Sequence, residues 1–156
     1  MSNPVSPAPA PYIPALAGLY RSASSAAWPL VRVVTGLWMM PHGGQKLFGW
    51  FGGDIEGLAG FLAKIGLTPA LPLAYAVGAI EFFGGLLLVV GLWTRPAAMA
   101  AAVLMLVAAF KVHLANGFFW NQGGYEYPLM WAMLAIAVAM RGAGPLSLDA
   151  RIGREF

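Results

Sequence analysis

The residues of this chain able to do chemistry are few, and most of them stand inside oily stretches. His42 and Lys46 are four apart, Glu81 follows Ala76-Val77-Gly78-Ala79-Ile80, Lys111 and His113 are two apart, and Glu126 comes just after a Gly-rich loop. Imidazole exchanges protons near neutrality, whereas a carboxylate or an ammonium in an apolar medium must pair or neutralise. Such a set can move protons or hold the polar head of an otherwise apolar ligand, a quinone ring for instance. It can equally be a buried network that fixes helix register through hydrogen bonds and ion pairs.

Other chemistries lack their residues. The two histidines match neither HExxH nor an EF-hand loop, and no span carries Glu-x-x-His, so no metal centre is expected. Two histidines also fall short of the four ligands that a pair of bis-histidine haems requires. With no cysteine there is no disulfide, thiolate nucleophile or Cys-ligated cluster, and the eight methionines read as apolar packing. A net charge of +3, scattered along the chain, gives no basic patch for nucleic acid.

The elements that carry these groups follow from composition. Apolar residues make up 60% and charged residues 10% of 156, against roughly 45–50% and about 25% in soluble domains. Lipid is the solvent that tolerates this balance, and crossing it takes about 20 helical residues. Four stretches qualify: residues 28–48, opened by Trp28-Pro29; 69–92; 96–115; and a shorter one over 125–140, closed by Arg141-Gly142. Between the second and third, Thr94-Arg95-Pro96 makes a tight turn, with Thr as helix cap. Between the first and second, Ile55, Leu58, Phe61, Leu62 and Ile65 recur at helical spacing in a segment too short to span, which predicts an amphipathic interfacial helix.

The predicted fold is therefore all-α: a membrane-spanning four-helix bundle with that interfacial helix between its first and second spans. Residues 1–25 read as a flexible Pro/Ala-rich tail, 26–142 as the transmembrane domain and 143–156 as a cytoplasmic C-terminal tail. Arg21, Arg32, Arg95, Arg141, Arg151 and Arg154 fall at the end that holds both termini, and Lys46, Lys64 and Lys111 at the other. The excess of basic residues places both termini in the cytoplasm. Gly78, Gly84 and Gly85 predict close helix packing. Arg32, Arg95 and Arg141 read as lipid head-group anchors.

Depth along the spans then gathers the polar groups. Glu81 falls near mid-span, while His42, Lys46, Lys111, His113 and Glu126 lie toward the opposite end from the termini. One polar cluster of these six is expected there. Lys111 and His113, two apart, point in different directions, so at most one of them faces Glu81.

The ordered set His42-Gly43-Gly44-Gln45-Lys46-Leu47-Phe48, Glu81-Phe82-Phe83-Gly84-Gly85 and Gly91-Leu92-Trp93-Thr94-Arg95-Pro96-Ala97-Ala98 resembles the DoxX family. Lys111-Val112-His113, Asn116-Gly117-Phe118-Phe119 and Gly124-Tyr125-Glu126 extend the resemblance, which covers about residues 30–140. It implies a four-helix bacterial inner-membrane protein associated with redox complexes. Family relatives serve as membrane subunits of thiosulfate:quinone oxidoreductase or belong to oxidative-stress assemblies. No motif is a catalytic fingerprint. The expectation is an accessory or quinone-contacting subunit of an oxidoreductase complex, in contact with membrane lipids and other subunits, with room for a homo-oligomer and with no cofactor evident in the chain beyond a bound quinone. The alternative is a non-catalytic bundle packed against a larger membrane assembly. Small-solute transport is disfavoured, since no inverted repeat is visible.

Overall fold

The computed structural model describes residues 9–156, and among them every regular element is helical, with no strand. Six helices follow in order: α1 (Ala17–Phe48), α2 (Ile55–Lys64), α3 (Ala70–Val90), α4 (Thr94–Asn116), α5 (Glu126–Arg141) and a short α6 (Leu148–Ile152). α3 and α4 are long and apolar enough to cross a membrane. At about 1.5 Å of rise per residue, each covers about 30 Å, the depth of a bilayer's hydrocarbon core.

The first helix differs from expectation. It starts at Ala17, so residues 17–25 of the expected flexible tail are helical, while residues 1–8 lie outside the described region. Alanine-rich sequence favours this extension, and the hydroxyls of Ser22, Ser24 and Ser25 donate to carbonyls one turn back, on Gly18, Arg21 and Ser22. Pro29 thus sits within the helix instead of opening it.

Helix α2 is the expected amphipathic segment. The Asp54 side chain caps it by accepting from the amides of Glu56 (3.1 Å) and Gly57 (2.8 Å). Ala59 and Leu62 are buried against Ala74 of α3, with Ile55, Leu58 and Ile65 packed around them. Glu56 and Lys64 face outward.

Two kinds of small residue build the interior. α4 and α5 meet through alanines, with Ala97, Ala98, Ala101 and Ala102 buried opposite Ala132, Ala135, Val138 and Ala139. α1 and α3 meet through glycines. A Cβ on Gly85 would stand 2.7 Å from the Gly36 carbonyl, and one on Gly43 would stand 2.7 Å from the Gly78 carbonyl and closer still to the Phe82 amide. Gly78 and Gly85 thus have Gly43 and Gly36 as their partners across the contact. Gly84 differs: it is buried, but a Cβ there would meet only Ile80, at an ordinary 3.9 Å.

The C-terminal segment docks onto the α3–α4 turn. Asp149 is buried and accepts from the amides of Trp93 (2.9 Å) and Thr94 (3.0 Å), while its own amide donates to the Gly91 carbonyl (2.8 Å). The cap of α4 is thus a carboxylate from far along the chain and not Thr94, whose hydroxyl is buried without a partner.

Two expected lipid anchors are corrected here. Arg32 is 1% exposed; its guanidinium donates to the carbonyls of Leu88, Val89 (3.0 Å) and Leu146 (2.5 Å). These include the last carbonyls of α3, which have no partner within their own helix and attract positive charge. Arg95 likewise donates to the carbonyls of Ala139 (2.9 Å) and Met140 (2.8 Å) at the end of α5, and meets Glu155 at 3.3 Å. Both arginines tie helix ends together instead of reaching head groups. Arg141 remains exposed and lies 4.7 Å over the Trp28 ring.

Two predictions follow from these contacts. Gly43→Val forces α1 away from α3 and lowers stability by about 2 kcal/mol or more, whereas Gly84→Ala leaves it nearly unchanged; thermal unfolding in detergent compares the two. Asp149→Ala strands two amides and removes a carboxylate near Arg32, costing about 1–3 kcal/mol in the same assay.

Candidate functional site

Glu81 stands in the middle of α3 and is 5% exposed. Its carboxylate meets the Lys46 ammonium at 2.6 Å. Side chains lean toward the start of their helix, so Lys46, near the end of α1, reaches back along its own helix. Its ammonium also donates to the His42 carbonyl, 3.2 Å away. The glycine crossing of α1 and α3 holds the two backbones close enough for this pair to form. A carboxylate in an apolar interior is costly without such a partner.

Around the pair opens a cavity of about 650 Å³. His42, Lys46, Glu81 and His113 supply its titratable wall, and Trp38, Trp120, Tyr127 and Trp131 an aromatic one. Tyr127 and Trp131 pack edge to face with centroids 6.0 Å apart. The loop between α4 and α5 closes the cavity with Trp120, Gly123 and Gly124. That loop is pinned: Tyr125 and Glu126 amides donate to the carbonyls of Gly117 and Phe118 (3.0 and 2.9 Å), and Asn116 donates to Gly123 (3.1 Å). His113 Nδ1 lies 2.6 Å from the same Gly123 carbonyl. Since a carbonyl only accepts, Nδ1 carries the proton, and in the neutral ring Nε2 is left as an acceptor.

Four of the six expected residues therefore converge: Glu81, Lys46, His42 and His113. Lys111 is exposed and points away, as its offset of two from His113 requires. Glu126 does not line the cavity; its carboxylate accepts from the Trp120 amide at 3.1 Å and braces the loop. It supports the cavity's roof without entering the cluster. Among the described residues no group of three or more His, Cys, Asp or Glu side chains is placed to hold a metal ion.

The sequence reading passed over the aromatic wall. Trp38, His42 and Lys46 repeat every four residues on one face of α1, and Tyr127 and Trp131 do the same on α5, so the signal was present in the spacing. It also passed over two π-helical turns, Ile80–Gly84 in α3 and Ala108–His113 in α4, which carry Glu81 and His113. Such turns often occur at functional sites.

A family model for DoxX matches residues 27–114. The chain belongs to the DoxX family. A Bacillus subtilis (strain 168) relative described as "Putative oxidoreductase CatD" is 34% identical over 120 residues, covering 77% of this chain and 82% of that protein. An uncharacterized Haemophilus influenzae protein is 38% identical over 81 residues, or 50% of this chain and 60% of its own length. A second one from the same organism is 33% identical over 70 residues, covering 45% and 46%. No solved structure is significantly similar to the chain. With its two bilayer-length apolar helices, this DoxX chain is a membrane protein.

Removing one partner of the buried pair is expected to cost more than removing both. Glu81→Gln leaves the Lys46 ammonium uncompensated and destabilises the DoxX fold by on the order of 2–4 kcal/mol, whereas the double variant Glu81→Gln/Lys46→Met recovers most of the loss. A double-mutant cycle of thermal unfolding in detergent measures this; additive losses would refute the coupling.

Proposed function

We propose that the protein is a quinone-contacting membrane subunit of an oxidoreductase assembly. The observation that carries this reading is the Lys46–Glu81 pair, set at 2.6 Å in the wall of an aromatic cavity. Flat indole faces suit a planar ring. Lys46 offers a charged donor to a ring carbonyl, and His42 a second polar contact from the same helix face. A quinone takes up two electrons and two protons. In this reading the electrons come from a partner subunit, and Glu81 and His113 are the groups placed to pass protons. The word "oxidoreductase" in the description of the Bacillus subtilis relative agrees with this reading.

The surrounding topology belongs to the same proposal. All four of α1, α3, α4 and α5 cross the bacterial inner membrane, their exposed apolar side chains such as Leu37, Phe83, Met130 and Met133 facing lipid. Both termini lie in the cytoplasm, on the arginine-rich side. The aromatic cavity then opens in the outer half of the bilayer.

One observation favours the alternative of a purely structural subunit. Residues 18–27 of α1 are exposed except where Trp28 begins the packed part, which leaves an arm, bearing Leu19 and Tyr20, free for a neighbouring subunit. In that case Lys46–Glu81 only ties α1 to α3.

Quinone titration separates the two. Three tryptophans line the cavity, so a short-tailed quinone is expected to quench fluorescence saturably in the purified protein. Trp131→Ala weakens binding about tenfold, the worth of one aromatic contact. Absence of saturable quenching, with the ion-pair cycle still showing coupling, leaves the structural reading.

A further inference from the structure

A second cavity, of about 850 Å³, lies against the Lys46–Glu81 pair between α2, α3 and α4. Lys46, Glu81, Met105, Ala108 and His113 line both cavities, so the two adjoin at the ion pair. Lys46, Glu81 and His113 are the polar members of the second lining, and its other walls are apolar. Along α4 the lining runs through Pro96, Met99, Val103, Val107 and Val112. Those sixteen steps of helix make a trough about 24 Å long. Leu73, Val77 and Ile80 of α3 form its opposite side, and Leu58, Phe61 and Leu62 of α2 line it as well.

We infer that the two cavities are one site for an amphiphile with a planar ring and a hydrocarbon tail, the ring in the aromatic cavity and the tail in the trough. This inference rests on the quinone reading above. A trough that is long, apolar and continuous with a polar, aromatic-walled chamber has the shape of such a molecule. Its charge points the same way: Lys46 and Glu81 neutralise one another at the junction, which leaves no net positive charge for the phosphate of a membrane lipid. The tail gains no hydrophobic free energy on leaving lipid for an apolar trough. The trough instead orients the molecule so that its ring arrives at the ion pair. Location, not tail-length affinity, is therefore the quantity to measure.

Two photoreactive benzoquinones with the same short isoprenoid tail provide that measurement, one carrying a diazirine beside the ring and the other at the tail's end. After illumination of the protein in phosphatidylglycerol-containing vesicles, labelled peptides are read by mass spectrometry. The ring probe is expected on α1 and α5, at Trp38 or Trp131, and the tail probe at trough residues such as Val77 or Leu104. Unlabelled quinone at about ten times its dissociation constant suppresses both labels about tenfold. Ala100→Trp, which fills the trough from α4, moves the tail label out of it. Tail label on the exposed Phe83 and Leu86 beside an intact ring label overturns the two-chamber site and leaves the quinone reading standing. Trough labelling displaced by added phosphatidylglycerol but not by quinone assigns the trough to a lipid chain and also overturns it. If neither probe labels a competable position, both readings fall.

Discussion

Glu81 is where it is because α1 and α3 touch. At Gly43 there is no room for a side chain between the helices, and seven residues earlier Gly36 repeats the same contact against Gly85. The spacing of seven puts Gly36 and Gly43 on one face of α1, two full turns apart. Once the backbones are locked at this distance, the carboxylate at mid-span cannot swing to the surface. It must find its counter-charge locally. Lys46, one turn beyond His42, is near enough because lysine carries its charge on a long stem that bends back along the helix. The ion pair is thus a consequence of the glycine contact.

The cavity around that pair depends on a second departure from regular geometry. A π-helical turn holds one residue more than an α-turn, which shifts the face presented to the bundle by about 100° from that point on. α3 makes one at Ile80–Gly84 and α4 at Ala108–His113. The two turns carry the two residues, Glu81 and His113, that α3 and α4 contribute to the titratable wall.

Much of this was readable in the residues. The ends of α3, α4 and α5 lie within about two residues of the stops marked by proline, glycine and arginine, because proline and a left-handed glycine interrupt a helix wherever they fall. Depth arithmetic brought Lys46 and His42 to Glu81. What it could not supply was rotation: spacing separates Lys111 from His113 but does not choose which faces inward until the π-turn is known. The start of α1 escaped because alanine and serine suit a helix and a loose tail alike. The role of Arg32 escaped for a different reason. An arginine near the end of a span meets either head groups or the carbonyls of a neighbouring helix end, and which one depends on the segment after residue 142, whose sequence has no hydrophobic signal of its own.

The two ends of the bundle use charge differently. At the arginine end, Arg32, Arg95 and Asp149 are engaged with backbone groups of helix termini, and Glu155 accepts from the Ala143 amide as well as meeting Arg95. These contacts complete helix ends that would otherwise bury unsatisfied amides and carbonyls, so freeing any of them for a ligand would expose the fold to that cost. At the lysine end the loop between α4 and α5 is held by its own backbone bonds and by local side chains, His113 and Asn116 on the Gly123 carbonyl and Glu126 on the Trp120 amide. Lys46 and Glu81 bond each other and, with His42 and His113, border the cavity. An ion pair that borders a cavity can exchange one partner for a ligand group without undoing a helix. At one end of the bundle, then, charged side chains complete helix termini, and at the other an ion pair borders a cavity.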